Sequence, residues 1–171
     1  MRLSFAKIFG AIAALLILLL ALGFLLPSTW SAEFSLEVQT EAEVIFPYLH
    51  DLEKWDEWTV WKDVDSDITE PSYGNGARRY WDDEDFGSGQ ILIVQSDPPK
   101  MVQYMVTLDS GAQVSGTFLL TKLQESTLIT WIEKGDLGAN PLMGYLARGI
   151  GKSQTAQMKL GLERLKTKFF D

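Results

Sequence analysis

The chain holds one histidine, His50, and no cysteine. The residues able to do chemistry are therefore carboxylates, hydroxyls and aromatic rings. Disulfides, thiolate metal sites and a cysteine nucleophile are excluded. A serine nucleophile would need a Gly-x-Ser-x-Gly elbow, which is absent, and every triad would have to share His50. That histidine falls at a predicted helix end beside Asp51, where a solvated role is expected. Asp63, Asp65 and Asp67 alternate like the opening of a calcium loop. Ile68 stands where the turn glycine belongs, however, and Gly74 where the bidentate glutamate belongs, so they read as a solvated acidic loop. Glu133, Asp136 and Arg79 are the charged residues closest to the expected lining of a cavity. A buried carboxylate among them would be a general acid or base, and strand ends that merely face solvent explain all three equally well. No catalytic residue, metal ligand or cofactor is assigned.

Aromatic residues carry the stronger signal. Trp55, Trp58 and Trp61 place three of the six tryptophans at intervals of three. Rings so spaced form a small core more often than a cofactor box, because each buries a large area. Gly74-x-Gly76 is not a nucleotide fingerprint, since Arg79 replaces the third glycine and no helix follows. Formal net charge is -8. The stretch from Asp51 to Asp85 alone holds 12 acidic and 4 basic residues. An acidic domain repels nucleic acid, so nucleic-acid binding is not expected.

These residues need elements to hold them. Ile8 to Leu26 is a charge-free run of 19 residues, long enough to span a bilayer as a helix. A cleaved signal peptide competes, but its apolar region is usually shorter, about 7–15 residues, and Trp30 spoils the best cut. An uncleaved signal anchor over residues 1–29 is expected. Arg2 and Lys7 before the span, with Glu33 and Glu37 after it, put the domain of residues 30–171 on the non-cytoplasmic side of what would be a bacterial inner membrane. Pro27 to Ala32 would be a short linker, with Trp30 as an interfacial anchor.

Glu33 to Thr40 alternates as a strand. Thr40-Glu41-Ala42-Glu43 reads as a capping box opening a helix that Pro47 should kink and that ends near His50. Strands follow at Arg78–Trp81, Ile91–Gln95, Met101–Leu108, Gln113–Leu123 and Thr127–Glu133, separated by turn signals. From Pro141 to Phe169 a helix places Ala147, Gly151, Gln154, Met158, Leu162, Leu165 and Phe169 on one stripe. The stripe is graded, small or polar first and large apolar later. That grading predicts tight packing at the C-terminal end and room beneath the N-terminal end. Gly149 and Gly151 each cost about 1 kcal/mol against alanine, so a break there is the alternative.

The order of elements resembles the helix-grip superfamily of START domains, polyketide cyclases and pollen-allergen-like proteins, in its bacterial polyketide cyclase/dehydrase and lipid-transport branch. The residues that carry the likeness are Val44-Ile45-Phe46 with Leu52, Trp55-x-x-Trp58-x-x-Trp61, Gly74-x-Gly76-Ala77 leading to Trp81, Thr127 to Trp131, and Met158-x-x-Gly161-Leu162-x-x-Leu165-Lys166. The resemblance implies an α+β helix-grip fold, with a curved antiparallel sheet of about six to seven strands wrapped on a long C-terminal helix around an apolar cavity. It implies no single chemistry.

The expected function is membrane-anchored binding or transport of a hydrophobic small molecule or lipid. Its expected ligand-binding residues are Trp58, Trp61, Trp81, Tyr104, Phe118, Trp131, Met143, Ala147 and Gly151. A polyketide cyclase/dehydrase-like enzyme and an envelope interaction protein using its acidic face are the alternatives.

Overall fold

A computed structural model describes residues 5–169. Its centre is a curved seven-stranded antiparallel sheet in the order β1-β7-β6-β5-β4-β3-β2. The strands are β1 (Thr29–Val38), β2 (Ser66–Ile68), β3 (Arg78–Asp83), β4 (Gly87–Asp97), β5 (Met101–Leu108), β6 (Gln113–Lys122) and β7 (Thr127–Asp136). From β2 to β7 each strand pairs with the next, and β1 closes the series by pairing with β7. A bulge between Ile93 and Gln95 bends β4, as an extra residue in one strand of a pair does.

Three α-helices accompany the sheet among the described residues: α1 (Phe5–Gly23), α2 (Ala42–His50) and α3 (Met143–Thr167). Two short 3₁₀ turns, Lys54–Glu57 and Trp61–Asp63, follow α2. The core lies on the sheet face covered by α2, these turns and α3, where Trp55, Trp58, Phe118, Met158 and Leu162 are fully buried. Helix α3 runs unbroken through Gly149 and Gly151. Ala147, Gly151, Met158, Leu162 and Leu165 of the expected stripe are buried. Burial of that stripe outweighs the glycine cost. In α2 the burial of Ile45, Phe46 and Leu49 likewise carries the helix through Pro47, whose interior position costs about 3 kcal/mol.

The expected membrane span is corrected by the structure. Among the described residues no helix is long and apolar enough to cross a membrane. Helix α1 stops at Gly23, three residues before the apolar run does. Its charge-free part, Ile8 to Gly23, extends about 24 Å at 1.5 Å per residue, short of a hydrocarbon core of about 30 Å. The single-pass anchor falls with it, and so does the placement of the domain across an inner membrane. Arg2, one of the two basic residues expected before the span, lies outside the described residues. Side chains of α1 such as Phe9, Ile12 and Ile17 are exposed.

The end of α1 is fastened to the start of α3. Tyr145 donates its hydroxyl to the Leu19 carbonyl at 2.6 Å. A Cβ at Gly23 would lie 2.3 Å from the Pro141 carbonyl oxygen, and one at Gly144 would lie 2.6 Å from Leu26 Cβ.

Strand β1 begins four residues earlier than its alternation suggests and absorbs most of the expected linker. Trp30 is therefore a strand residue paired with Gly135. The capping box does not form: α2 is capped by Glu41 without a side-chain hydrogen bond, while the Thr40 carbonyl accepts from the Thr127 hydroxyl at 2.8 Å. His50 is half-buried, its ring tilted against Phe46 with centroids 4.8 Å apart and against Tyr73 at 5.5 Å. Loss of solvent lowers its pKa.

Candidate ligand cavity

Three inward rings lie on glycines of the neighbouring strand. Trp81 is the register partner of Gly89, Tyr104 of Gly116 and Trp30 of Gly135. A Cβ at these glycines would fall 2.7 Å from Trp81 Cζ2, 1.9 Å from Tyr104 Cζ and 2.2 Å from Trp30 Nε1. None of the three has positive φ. Their role is close approach: without a side chain beneath it, each ring lies against the sheet instead of standing up from it. Space remains between these rings and α3.

That space is a cavity of about 370 Å³. Trp30, Trp81, Tyr104 and Trp131 line it from the sheet, and Trp58 and Trp61 from the segment after α2. Gln154, Gln157, Gly161 and Arg164 line it from α3. Phe86 in the β3–β4 hairpin, Val60 and Leu160 also line it and are substantially exposed. They mark its mouth. A second hollow of about 640 Å³ lies between residues 26–31 and the first turns of α3. It is shallower and has one indole on its wall, so the aromatic cavity is the better ligand site.

One polar cluster sits in the aromatic wall. Trp131 Nε1 donates to the Tyr104 hydroxyl oxygen at 2.8 Å. The Tyr104 hydroxyl donates in turn to Glu133 in a short hydrogen bond. Glu133 is 5% exposed. Burial raises its pKa above 4.5, against the opposing pull of hydrogen bonds from Tyr104, Gln154 and Trp131. Burial also pushes the Tyr104 phenol well above 10, and the neighbouring Glu133 charge adds to the rise. The cluster is thus biased toward its uncharged form, the form a low-dielectric wall tolerates.

The other polar groups divide by whether they have partners. Trp55 Nε1 donates to the Leu49 carbonyl at 2.9 Å, and Trp58 Nε1 to the Tyr48 carbonyl at 3.1 Å. The indole N–H groups of Trp30 and Trp81 are buried and have no partner among the described residues. Arg79 is fully buried outside the lining. It donates to Asp56 at 2.6 Å and to the Leu52 carbonyl at 2.9 Å, and its guanidinium lies 5.4 Å from the Trp61 ring centroid. Asp136 is at the open end of β7, accepting from Ser28 at 3.1 Å and from the Gly138 amide at 2.9 Å. Of the three charged candidates, only Glu133 lines the cavity.

The structure brings Trp58, Trp61, Trp81, Tyr104 and Trp131 together around the cavity. Phe118 lies outside the lining as fully buried core, against Trp55, Trp58 and Trp131. Met143, Ala147 and Gly151 are elsewhere. Ala147 and Gly151 line the shallow hollow, and a Cβ on Gly151 would be 2.9 Å from the Ser31 carbonyl oxygen. At Gly151 α3 therefore touches β1, only a shallow hollow opens beside its first turns, and the aromatic cavity is displaced toward the middle of the helix. Sequence reasoning missed Trp30, Gln157, Gly161 and Arg164 as lining residues, and placed Gln154 on the helix stripe without naming it as a ligand contact. The period-two pattern of Phe34, Leu36 and Val38 continues back through Ala32 to Trp30. The four α3 residues recur at spacings of three, four and three, a second stripe that shares Gln154 with the expected one.

No protein-family model and no curated protein matches the chain. Solved structures do. A norcoclaurine synthase variant from Thalictrum, in complex with a transition-state analogue, is 13% identical over 84% of this chain and 97% of its own, with a TM-score of 0.62. The di-domain ARO/CYC StfQ of the steffimycin biosynthetic pathway is 15% identical over 81% of this chain and 50% of its own, with a TM-score of 0.60. DynU16, from the dynemicin biosynthetic locus, is 14% identical over 80% and 46%, with a TM-score of 0.57. The chain thus spans about half the length of these last two. At such identities the likeness is one of fold, and the fold is the helix grip of the polyketide cyclase-like proteins.

Proposed function

We propose that this protein binds a small hydrophobic molecule in the cavity between the sheet and α3. The observation that carries this reading is the cavity itself. Its volume of about 370 Å³ lies within the range of about 300–1,000 Å³ typical of small-molecule sites, which are walled by apolar and aromatic groups around a few polar ones. The solved structures above share the fold, and one of them is in complex with a transition-state analogue.

The uncharged probe N-phenyl-1-naphthylamine tests the reading, because its emission rises on entering an apolar site. Titration of the full chain should give saturable binding. Val106 lines the cavity from β5, and Val106→Trp fills it. That variant should unfold cooperatively and bind the probe at least tenfold more weakly. Undiminished binding in a folded Val106→Trp protein would overturn the assignment.

A second reading, a cyclase- or dehydrase-like enzyme, is favoured by Glu133. A cavity carboxyl whose pKa burial raises is equipped for general acid–base catalysis. It would be supported if the molecule that copurifies with the protein were converted by the native chain and not by Glu133→Gln. Conversion at equal rates by both would remove Glu133 from that role.

A further inference from the structure

The part of the cavity wall that follows α2 is built from two short turns. Its backbone hydrogen bonds are local: the Thr59 amide donates to the Trp55 carbonyl at 2.9 Å and the Asp63 amide to the Val60 carbonyl at 3.2 Å. Such bonds shape the turns without fixing them to the rest of the protein. The first turn, Lys54–Glu57, is fixed by side chains. The Trp55 and Trp58 indoles donate to carbonyls of α2, and Lys168, just past α3, donates to Glu57 at 2.8 Å. In the second turn, Trp61–Asp63, no residue is buried. Its Trp61 ring reaches back to β3, meeting Trp81 edge-on at a centroid distance of 4.9 Å and lying 5.4 Å from the Arg79 guanidinium.

Arg79 meets this segment at three points. Two residues apart on β3, Arg79 and Trp81 face the core together. One nitrogen of the guanidinium donates to the Leu52 carbonyl, at the start of the segment, and to Asp56 in the first turn. The Trp61 ring, in the second turn, is within cation–π reach of the same group. Stability is a poor reason for this arrangement. The side chain is fully buried, Nε and Nη1 have no acceptor among the described residues, and the Asp56 side chain is 44% exposed. An apolar residue of similar volume in such a place is often as stable or more so. What arginine adds is direction, through a flat fork that bonds at its edge and stacks on its face.

We propose that Arg79 is a positioning residue of the cavity: by holding Trp61 against Trp81 it keeps the mouth closed over a guest that it never touches. This rests on the binding reading above. Val60, next to Trp61, belongs to the mouth and is substantially exposed, so the second turn is the part of the rim that Arg79 restrains. The consequence is kinetic. A guest that passes only while Trp61 is lifted meets the same restraint on the way in and on the way out. Loosening that restraint speeds entry and exit by one factor and leaves their ratio in place. Damage to the binding surface itself acts mainly on exit.

Stopped-flow fluorescence of N-phenyl-1-naphthylamine with the full chain separates the two. Arg79→Met keeps the bulk and removes the fork. It should speed association and dissociation alike by about tenfold, the order given by loss of one charge-assisted hydrogen bond. Asp56→Asn, at the exposed end of the pair, should speed both by a smaller factor, so the test does not depend on Arg79→Met folding. In Trp61→Leu both rates should already be raised, and adding Arg79→Met should change them no further. Unchanged rates in Asp56→Asn, or in a folded Arg79→Met, would overturn this inference and leave the binding reading standing. Faster dissociation at an unchanged association rate would also overturn it, making Arg79 a support of the pocket's shape. So would an Arg79→Met effect as large in Trp61→Leu as in the native chain. Absence of saturable binding by the native chain would overturn the binding reading itself.

Discussion

The two halves of α3 meet the sheet in opposite ways. From Met143 to Gly151 the helix comes down onto β1, so closely that Gly151 faces the Ser31 carbonyl without space for a methyl group. From Gln154 onward, one edge of the helix stands over the cavity while Met158, Leu162 and Leu165 fill the core beside it. Small residues on a helix stripe can mean room, or they can mean contact. Here the Ser31 carbonyl of the neighbouring strand occupies the space that Gly151 leaves, and Ala147 and Gly151 otherwise border only the shallow hollow. Room appears instead where long polar residues form the edge, because Gln154, Gln157 and Arg164 reach around a void that an apolar side chain would collapse into.

Substitutions can sharpen or break this contrast. The largest effect is expected at Leu162, fully buried in the core beside the cavity: Leu162→Ala should lower unfolding stability by about 2–5 kcal/mol in a denaturant titration. Gly151→Leu should cost about 1–3 kcal/mol through overpacking against β1, and whatever remains folded should still bind the uncharged naphthylamine probe. A freely tolerated leucine at position 151 would mean that the first half of α3 does not rest on the strand.

Glu133 gives a prediction in pH. Its folded pKa is raised above 4.5 by burial, so the folded state binds the proton more tightly than the unfolded chain does. Its contribution to stability is then fully present below about 4.5 and is lost as pH rises through the folded value. Denaturation midpoints measured from pH 4 upward should fall more steeply for the native chain than for Glu133→Gln. Parallel curves would show that the carboxyl is solvated. The smallest effect is expected at Gly161. Alanine there gains about 1 kcal/mol of helix propensity, but its Cβ would meet Trp131 at 3.3 Å and Trp58 at 3.6 Å, and the two should nearly cancel in the unfolding midpoint.

Much of the fold is legible in the sequence where one face alternates against turn signals. Strand β5 has the bounds that its pattern suggests, Met101–Leu108, and the packed stripe of α3 follows from period 3.6. Strand β2 was invisible: Ser66-Asp67-Ile68 is three residues long, too short to show a period. Trp30 was misplaced because an aromatic after an apolar run also suits an interface, and only its pairing with Gly135 separates the two meanings. The tryptophan cluster pointed to the cavity, but which rings line it depends on register. Phe118 on β6 and Tyr104 on the neighbouring β5 both face inward, and alternation alone does not tell wall from floor. Gln157 and Gly161 are not legible as lining because polar and small residues carry no hydrophobic signal.

The glycines beneath the rings have a further consequence. Gly89, Gly116 and Gly135 lie outside the cavity's lining, yet each sets how low one of its aromatic walls lies. A single methyl at any of them would lift a ring into the void, and at Gly116 it would also carry the phenol of Tyr104 away from Glu133. The capacity of the site is thus governed from positions a guest never touches. Over generations, the size of molecule accepted can be reset by a one-residue change behind the wall, with every contacting side chain kept.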